Sequence, residues 1–257
     1  MPIQEFPSEG VRIAFLDAAP ESGETGRPVL LIHGFASNHA VNWVFPQWLK
    51  TLNGAGRRVI TFDNRGHGRS EKLYRPEDYD LSRMAADARN LLDHLGIETA
   101  DVMGYSLGAR IATVFALNYP ERAKALIFGG LGAKLFEIAG LGEVIAEGLE
   151  APSAADLEEG LGKVFRTFAE ATKSDLKALA ACARGARRKF SPAELGSITA
   201  RVLVAVGTKD EIAGDPSSLA ALLPAGEALS IPGRDHNRSV GDPGFKKAAL
   251  VFLDQSA

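Results

Sequence analysis

At 257 residues, 46% of them hydrophobic, the chain is long enough to bury a large core without covalent help. Its formal net charge of -3 comes from 29 basic and 32 acidic residues mixed along the sequence, which leaves no basic stripe for a nucleic-acid backbone. The single cysteine, Cys182, excludes an internal disulfide framework and any paired-cysteine zinc or redox spacing.

The first residues, Met1-Pro2-Ile3-Gln4-Glu5-Phe6, lack a basic start followed by an apolar run. No stretch of about 18 uninterrupted apolar residues follows, so the expectation is a soluble cytoplasmic protein with no membrane partner. Residues 11–16 and 28–32 read as strands, with the polar segment 20–28 between them as a hairpin loop. Helical spacing follows at 42–52, a strand at 57–62, a helix at 81–95, a strand at 100–103, a helix at 107–118 and a strand at 124–128.

The rhythm then breaks. Residues 131–200 contain helical patterns at 138–149, 155–171 and 174–183, separated by Ala151-Pro152-Ser153 and Thr172-Lys173-Ser174, and no convincing strand. Cys182 reads as a small apolar filler in the last of these helices, and the basic run from Arg184 to Lys189 as a solvated helix end. Strand, helix, strand and helix resume at 201–206, 216–223, 227–231 and 243–254, where Asp242-Pro243 supplies an N-cap and a first-turn proline.

Alternation of apolar strands with helices predicts an α/β fold whose mostly parallel sheet is covered on both faces, with ligands at the carboxyl ends of the strands. Residues 1–130 and 201–257 form the expected core, and 131–200 an inserted helical cap that shapes a substrate pocket.

The sharpest local feature is Gly104-Tyr105-Ser106-Leu107-Gly108, between an apolar run and an amphipathic helix. The pentapeptide alone is weak, but a strand before it and a helix after it make a tight turn that thrusts the Ser106 hydroxyl out of the sheet. A serine there stands at a helix N-terminus, whose N–H groups suit an oxyanion. The Leu107 N–H is one candidate donor, and the Phe35 N–H, after the buried run that stops at His33-Gly34, is the other; one such donor is typically worth ~3 kcal/mol.

Of five histidines, His236 follows a late strand in a loop with Gly233 and Asp235 and is the leading base. His33 reads as a hydrogen-bonded loop anchor, His67 as a turn residue and His94 as a helix-end residue favoured by the dipole. The base needs a buried acceptor from another strand end. Asp210, which follows the apolar run 202–206, fills that place better than Glu211 next to it or Asp235, whose side chain is poorly directed at the ring beside it.

These residues resemble the α/β-hydrolases over nearly the whole chain outside the cap. The order serine, acid, histidine is the family's. His33-Gly34-Phe35 resembles its oxyanion loop, Asp63-Asn64-Arg65-Gly66-His67-Gly68-Arg69-Ser70 its Asp-x-Arg-Gly-x-Gly-x-Ser loop, and Gly207-Thr208-Lys209-Asp210 its Gly-x-x-Asp strand end. The resemblance implies the α/β-hydrolase fold with a small helical cap between the sixth and seventh strands, and a serine nucleophile where dehalogenase-like and epoxide hydrolase-like branches carry aspartate.

The implied chemistry is hydrolysis of a small-molecule ester through an acyl-enzyme, with Ser106, His236 and Asp210 as the triad and no metal or organic cofactor. Phe35 and Trp43 near the strand ends point to an apolar pocket for short to medium acyl groups, although both also read as core packing. Trp43 and Tyr105 are the candidate substrate contacts. Carbon–carbon hydrolases, enol-lactonases, perhydrolases, thioesterases and acyltransferases share the serine, and a weakly catalytic ligand-binding protein shares the fold.

Overall fold

The computed structural model describes residues 2–137 and 142–255. Among these residues, eight strands form one sheet: β1 (Gln4–Ser8), β2 (Val11–Ala18), β3 (Val29–Ile32), β4 (Val59–Phe62), β5 (Ala100–Tyr105), β6 (Ala123–Gly129), β7 (Arg201–Gly207) and β8 (Gly226–Ile231). They lie in the order β1-β2-β4-β3-β5-β6-β7-β8. Only β2 runs against the rest, pairing antiparallel with β1 and β4, while every later pair is parallel.

Between β3 and β6 come α1 (Trp48–Gly54), α2 (Leu81–His94) and α3 (Leu107–Asn118), one after each strand. Among the described residues, five α-helices lie between β6 and β7: α4 (Lys134–Glu137), α5 (Glu143–Glu150), α6 (Leu161–Ala171), α7 (Leu176–Gly185) and α8 (Pro192–Gly196). Then follow α9 (Pro216–Ala220), α10 (His236–Ser239) and α11 (Pro243–Asp254).

Alternate strand residues enter two separate apolar clusters, as a period of two requires. Leu30 and Ile32 join the cluster with α2, α3 and the insertion, whereas Val29 and Leu31 join the one built on Trp48, Phe245 and Phe252 of α1 and α11. Both faces of the fully buried β3 are therefore dry. Asp242 caps α11 by accepting the Gly244 and Phe245 N–H groups, with Pro243 in the first turn as expected.

Several expectations change. β1 is an additional edge strand, tied down by Phe6 against the Phe15 and His94 rings. Segment 20–28 is no hairpin, because β4 lies between β2 and β3 and the segment crosses over it. The expected helix 42–52 is two pieces. Ala40–Val44 forms one wide turn closed by Phe45 N–H to Ala40 C=O at 2.9 Å, then Pro46 lacks an N–H and Gln47 adopts a left-handed φ of 66° before α1 begins.

In the insertion, the start of the expected helix 138–149 at residues 138–141 lies outside the described residues, and its remainder is α5. The expected helix 155–171 breaks at Gly160, whose φ is 154°, so that α6 starts at Leu161. α5 and α6 touch backbone to backbone, since a Cβ on Gly148 would lie 2.7 Å from Gly162 Cα. Buried Arg166 of α6 donates to the Gly148, Leu149 and Ala151 carbonyls, closing the C-terminal end of α5. The basic run is not simply solvated: Arg184 binds Glu143 and Glu150, and Arg188 binds Glu194. Cys182 is fully buried, and burial pushes its thiol pKa up.

Candidate active site

β5 passes into α3 through Ser106, whose φ of 54° and ψ of -111° no ordinary residue adopts without cost. The flanking glycines make that turn possible. A Cβ on Gly104 would lie 2.2 Å from Gly108 O, and one on Gly108 would lie 2.0 Å from Ile32 O. The Ser106 N–H donates to Gly129 C=O at 2.8 Å, holding the turn to the end of β6.

Beside it, β3 runs into His33. This ring is fully buried, its Nε2 accepting the Asn64 N–H at 2.9 Å and its Nδ1 donating to Gly34 C=O at 2.7 Å. Desolvation pushes its pKa down to about 4, which suits an uncharged anchor. The next peptide is held by Gly34 N–H donating to Asn42 Oδ1 at 2.9 Å, and a Cβ on Gly34 would lie 3.5 Å from Ser106 Cβ. The loop thus lies against the serine. The Phe35 and Leu107 N–H groups form no hydrogen bond among the described residues.

Asp210 follows β7, its carboxylate fully buried. Oδ1 accepts the Ile212 and Ala213 N–H groups, both at 3.0 Å, and Oδ2 accepts His236 Nδ1–H at 2.7 Å. With Nδ1 donating, Nε2 is the basic ring nitrogen of neutral His236. The rival carboxylates are elsewhere: Asp235 caps α10 through Arg238 N–H at 2.8 Å, and Glu211 is exposed. No hydrogen bond joins Ser106 Oγ to His236, although both line one cavity, a looseness common in sites without substrate.

That cavity has a volume of about 240 Å³. Phe35 and Tyr105 line it from the core, Val164, Phe165 and Phe168 from α6, and Ile212 from the loop after β7. No Lys, Arg, Asp or Glu is among its lining residues. The α6 contribution follows from apolar residues at 161, 164, 165 and 168, one helical face that sequence reading noted as amphipathic without assigning it to the site.

Trp43 is a correction. It is fully buried with its ring edge-on to Trp48 at 6.2 Å, and it does not line the cavity; the wide turn presents Val41 and Asn42 there instead. Asn42 is a residue the sequence reading passed over, since nothing in its immediate neighbours marks it. Tyr105 lines the wall, and its hydroxyl donates to the His236 carbonyl.

His67 takes no part in proton transfer geometry. It is buried, donates from Nδ1 to Arg65 C=O at 2.9 Å and packs edge-on against Phe35 at 5.8 Å, and desolvation lowers its pKa to about 3. Among the described residues, no group of three His, Cys, Asp or Glu side chains is arranged to hold a metal ion, and no helix is long and apolar enough to cross a membrane.

Comparison with known proteins agrees with this architecture. Residues 27–140 match a family described as alpha/beta hydrolase fold. Epoxide hydrolase B of Mycobacterium tuberculosis is 34% identical over 119 residues, 46% of this chain and 32% of that protein. The 2-hydroxymuconate semialdehyde hydrolase of Pseudomonas sp. strain CF600 is 34% identical over 165 residues, 60% of this chain and 51% of that one. The matches thus span about half or less of these relatives' lengths. A crystal structure of a hydrolase from Pseudomonas aeruginosa PA01 superposes with a TM-score of 0.77 over 98% of both chains at 24% identity, a likeness of fold.

Proposed function

The chain belongs to the α/β-hydrolase fold superfamily, and on that footing we propose that it is a serine hydrolase that cleaves a small carboxylic ester through an acyl-enzyme. The observation that carries this reading is the 2.7 Å bond from His236 Nδ1 to buried Asp210, with Nε2 left as the base in a cavity shared with Ser106.

In the proposed reaction Ser106 Oγ attacks the ester carbonyl carbon while His236 Nε2 takes the serine proton, and the oxyanion receives the Phe35 and Leu107 N–H groups. Asp210 stabilises the imidazolium. The tetrahedral intermediate collapses as the ester C–O bond breaks, and His236 gives its proton to the departing alkoxide oxygen. Water then attacks the acyl-enzyme by the same route, releasing the acid and restoring Ser106.

Two observations favour an ester over the reactions named for the relatives. The residue at the turn is serine, whereas the epoxide hydrolase-like pattern has aspartate there. The cavity walls are mostly apolar and hold no lysine or arginine, which favours an uncharged acyl group over the carboxylate of a muconate semialdehyde. Carbon–carbon hydrolysis is the second reading, favoured by the 34% identity to the 2-hydroxymuconate semialdehyde hydrolase.

Within the same proposal, residues 131–200 act as a cap, because α6 supplies the outer cavity wall, and the protein works in the cytoplasm. The test is steady-state hydrolysis of p-nitrophenyl acetate, butyrate and octanoate by the wild type and Ser106→Ala. Multiple turnovers that vanish in the variant support the reading. Turnover that survives in Ser106→Ala refutes the nucleophile, and a folded wild type without turnover refutes the ester.

A further inference from the structure

The candidate oxyanion loop does not stand on the core alone. Its inner half is fixed from within, by His33 and Asn42 on the Gly34 peptide. Its outer half leans on the insertion. Ala36 has a left-handed φ of 56°, a conformation a residue with a Cβ keeps only when its surroundings hold it.

What holds Ala36 comes from the end of α6. Thr172 Oγ1 lies 2.8 Å from the Ala36 carbonyl, nearer than the Phe168 and Ala169 carbonyls of its own helix, both at 3.1 Å. Ser174 Oγ, 2.9 Å away, can donate to Thr172 and leave the threonine proton for Ala36. The Phe35 ring is meanwhile gripped between His67 at 5.8 Å and Phe165 of α6 at 5.6 Å. The helix that walls the cavity therefore also braces this loop, at the Ala36 carbonyl and at the Phe35 ring.

Resting on the serine-hydrolase reading above, we infer that Thr172 is a positioning residue: it couples the insertion to the oxyanion loop, so that an acyl group seated against α6 tightens the Phe35 N–H on the reacting carbonyl. Such coupling acts on the transition state, where a misplaced donor costs rate, and hardly on ground-state binding.

The experiment compares wild type, Thr172→Val and Thr172→Ser, each first shown folded by circular dichroism and thermal melting. One readout is kcat and KM for p-nitrophenyl butyrate. The other is the rate of Ser106 labelling by a fluorophosphonate, in which the Ser106 O–P bond forms, the P–F bond breaks, fluoride leaves and His236 takes the serine proton.

Thr172→Val is expected to lower both kcat and the labelling rate about tenfold with KM changed less than about twofold, and Thr172→Ser to return both to within about twofold of wild type. Wild-type rates in Thr172→Val overturn the coupling while leaving the esterase reading intact. Equal impairment in both variants, or a change confined to KM, also overturns it. Labelling without ester turnover removes the ester reading and leaves the labelling rates to decide the coupling. Absence of labelling in the wild type removes both.

Discussion

The Tyr105 hydroxyl donates to the backbone carbonyl of His236 at 2.5 Å, joining the residue before Ser106 to the turn that carries the His236 ring. The two rings also touch, with centroids 5.5 Å apart. β5 and the loop after β8 are distant in sequence, and this bond sets their spacing where the chemistry is proposed to occur. Removing the hydroxyl with Tyr105→Phe is expected to lower kcat about fivefold, the equivalent of one hydrogen bond of about 1 kcal/mol. Steady-state kinetics on p-nitrophenyl butyrate checks this, and an unchanged kcat would assign the bond to packing only.

Asp210→Asn keeps the shape of the acid but places an amide where a carboxylate accepted His236 Nδ1–H. The ring then loses its enforced tautomer, and kcat is expected to fall by about four orders of magnitude with the melting temperature nearly unchanged. Asp235→Asn, which alters the α10 cap and an exposed pairing with the Arg238 guanidinium but no contact to the His236 ring, should leave kcat within about threefold. A larger loss in Asp235→Asn than in Asp210→Asn would exchange the two assignments.

Ser106 carries strain that glycine does not feel. Ser106→Gly is expected to abolish turnover yet stabilise the fold by on the order of 1 kcal/mol, while Ser106→Ala, which retains a Cβ at φ 54°, gains no such relief. Thermal melts of the two variants side by side should differ by about 2–4 °C for a chain of this size. Equal melting temperatures would mean that the turn is unstrained.

On the proposed reading, a cavity wall without Lys, Arg, Asp or Glu selects against charged acyl groups. Val164→Arg adds a cation at a half-exposed lining position of α6. It is expected to raise kcat/KM for a hemisuccinate ester at least about tenfold relative to the butyrate ester, the effect of one new charge pair of about 1.4 kcal/mol. Competition assays with the two esters give the ratio directly, and an unaltered ratio would remove the cavity as the acyl site.

Stability should fall in mild acid. His33 and His67 have folded pKa values of about 4 and about 3, both below the unfolded value of 6.5. Between those limits the unfolded chain binds more protons, so stability is complete above about pH 6.5 and declines as pH falls toward 4, by up to about 1.4 kcal/mol per pH unit for each ring. Urea unfolding from pH 7 to 4.5 measures the slope. His67→Gln should remove about half of it, and an equal slope in that variant would exclude the buried ring as a source.

Much of this was legible in the sequence, for physical reasons. Strands such as 201–206 are apolar on both faces, and Gly104 and Gly108 announce a close approach of backbones, so a mostly parallel sheet covered on both faces and the serine turn could be anticipated, though not the strand order. Asp210 and His236 could be singled out as the candidate acid and base because each follows a late strand, and the structure joins them by a 2.7 Å bond. Other features depend on tertiary direction. Gln47 turning left-handed after Pro46 splits one expected helix and sends Trp43 into the core in place of the cavity. Gln4–Ser8 is too short and too polar to announce a strand, and it holds only because Phe6 finds Phe15 and His94. Phe165 and Phe168 were visible as an apolar helical face, but a period does not say which cavity a face will close.

The missing Cβ atoms of Gly104 and Gly108 have a consequence for how this protein can change over time. With Gly108 O and Ile32 O standing about 2 Å from where those atoms would be, a methyl group at Gly104 would force α3 off β5, and one at Gly108 would force α3 off the end of β3. The half-exposed Val164 on the outer face of α6 has room for other side chains. The turn that presents Ser106 has none at its two glycines, where even alanine meets backbone.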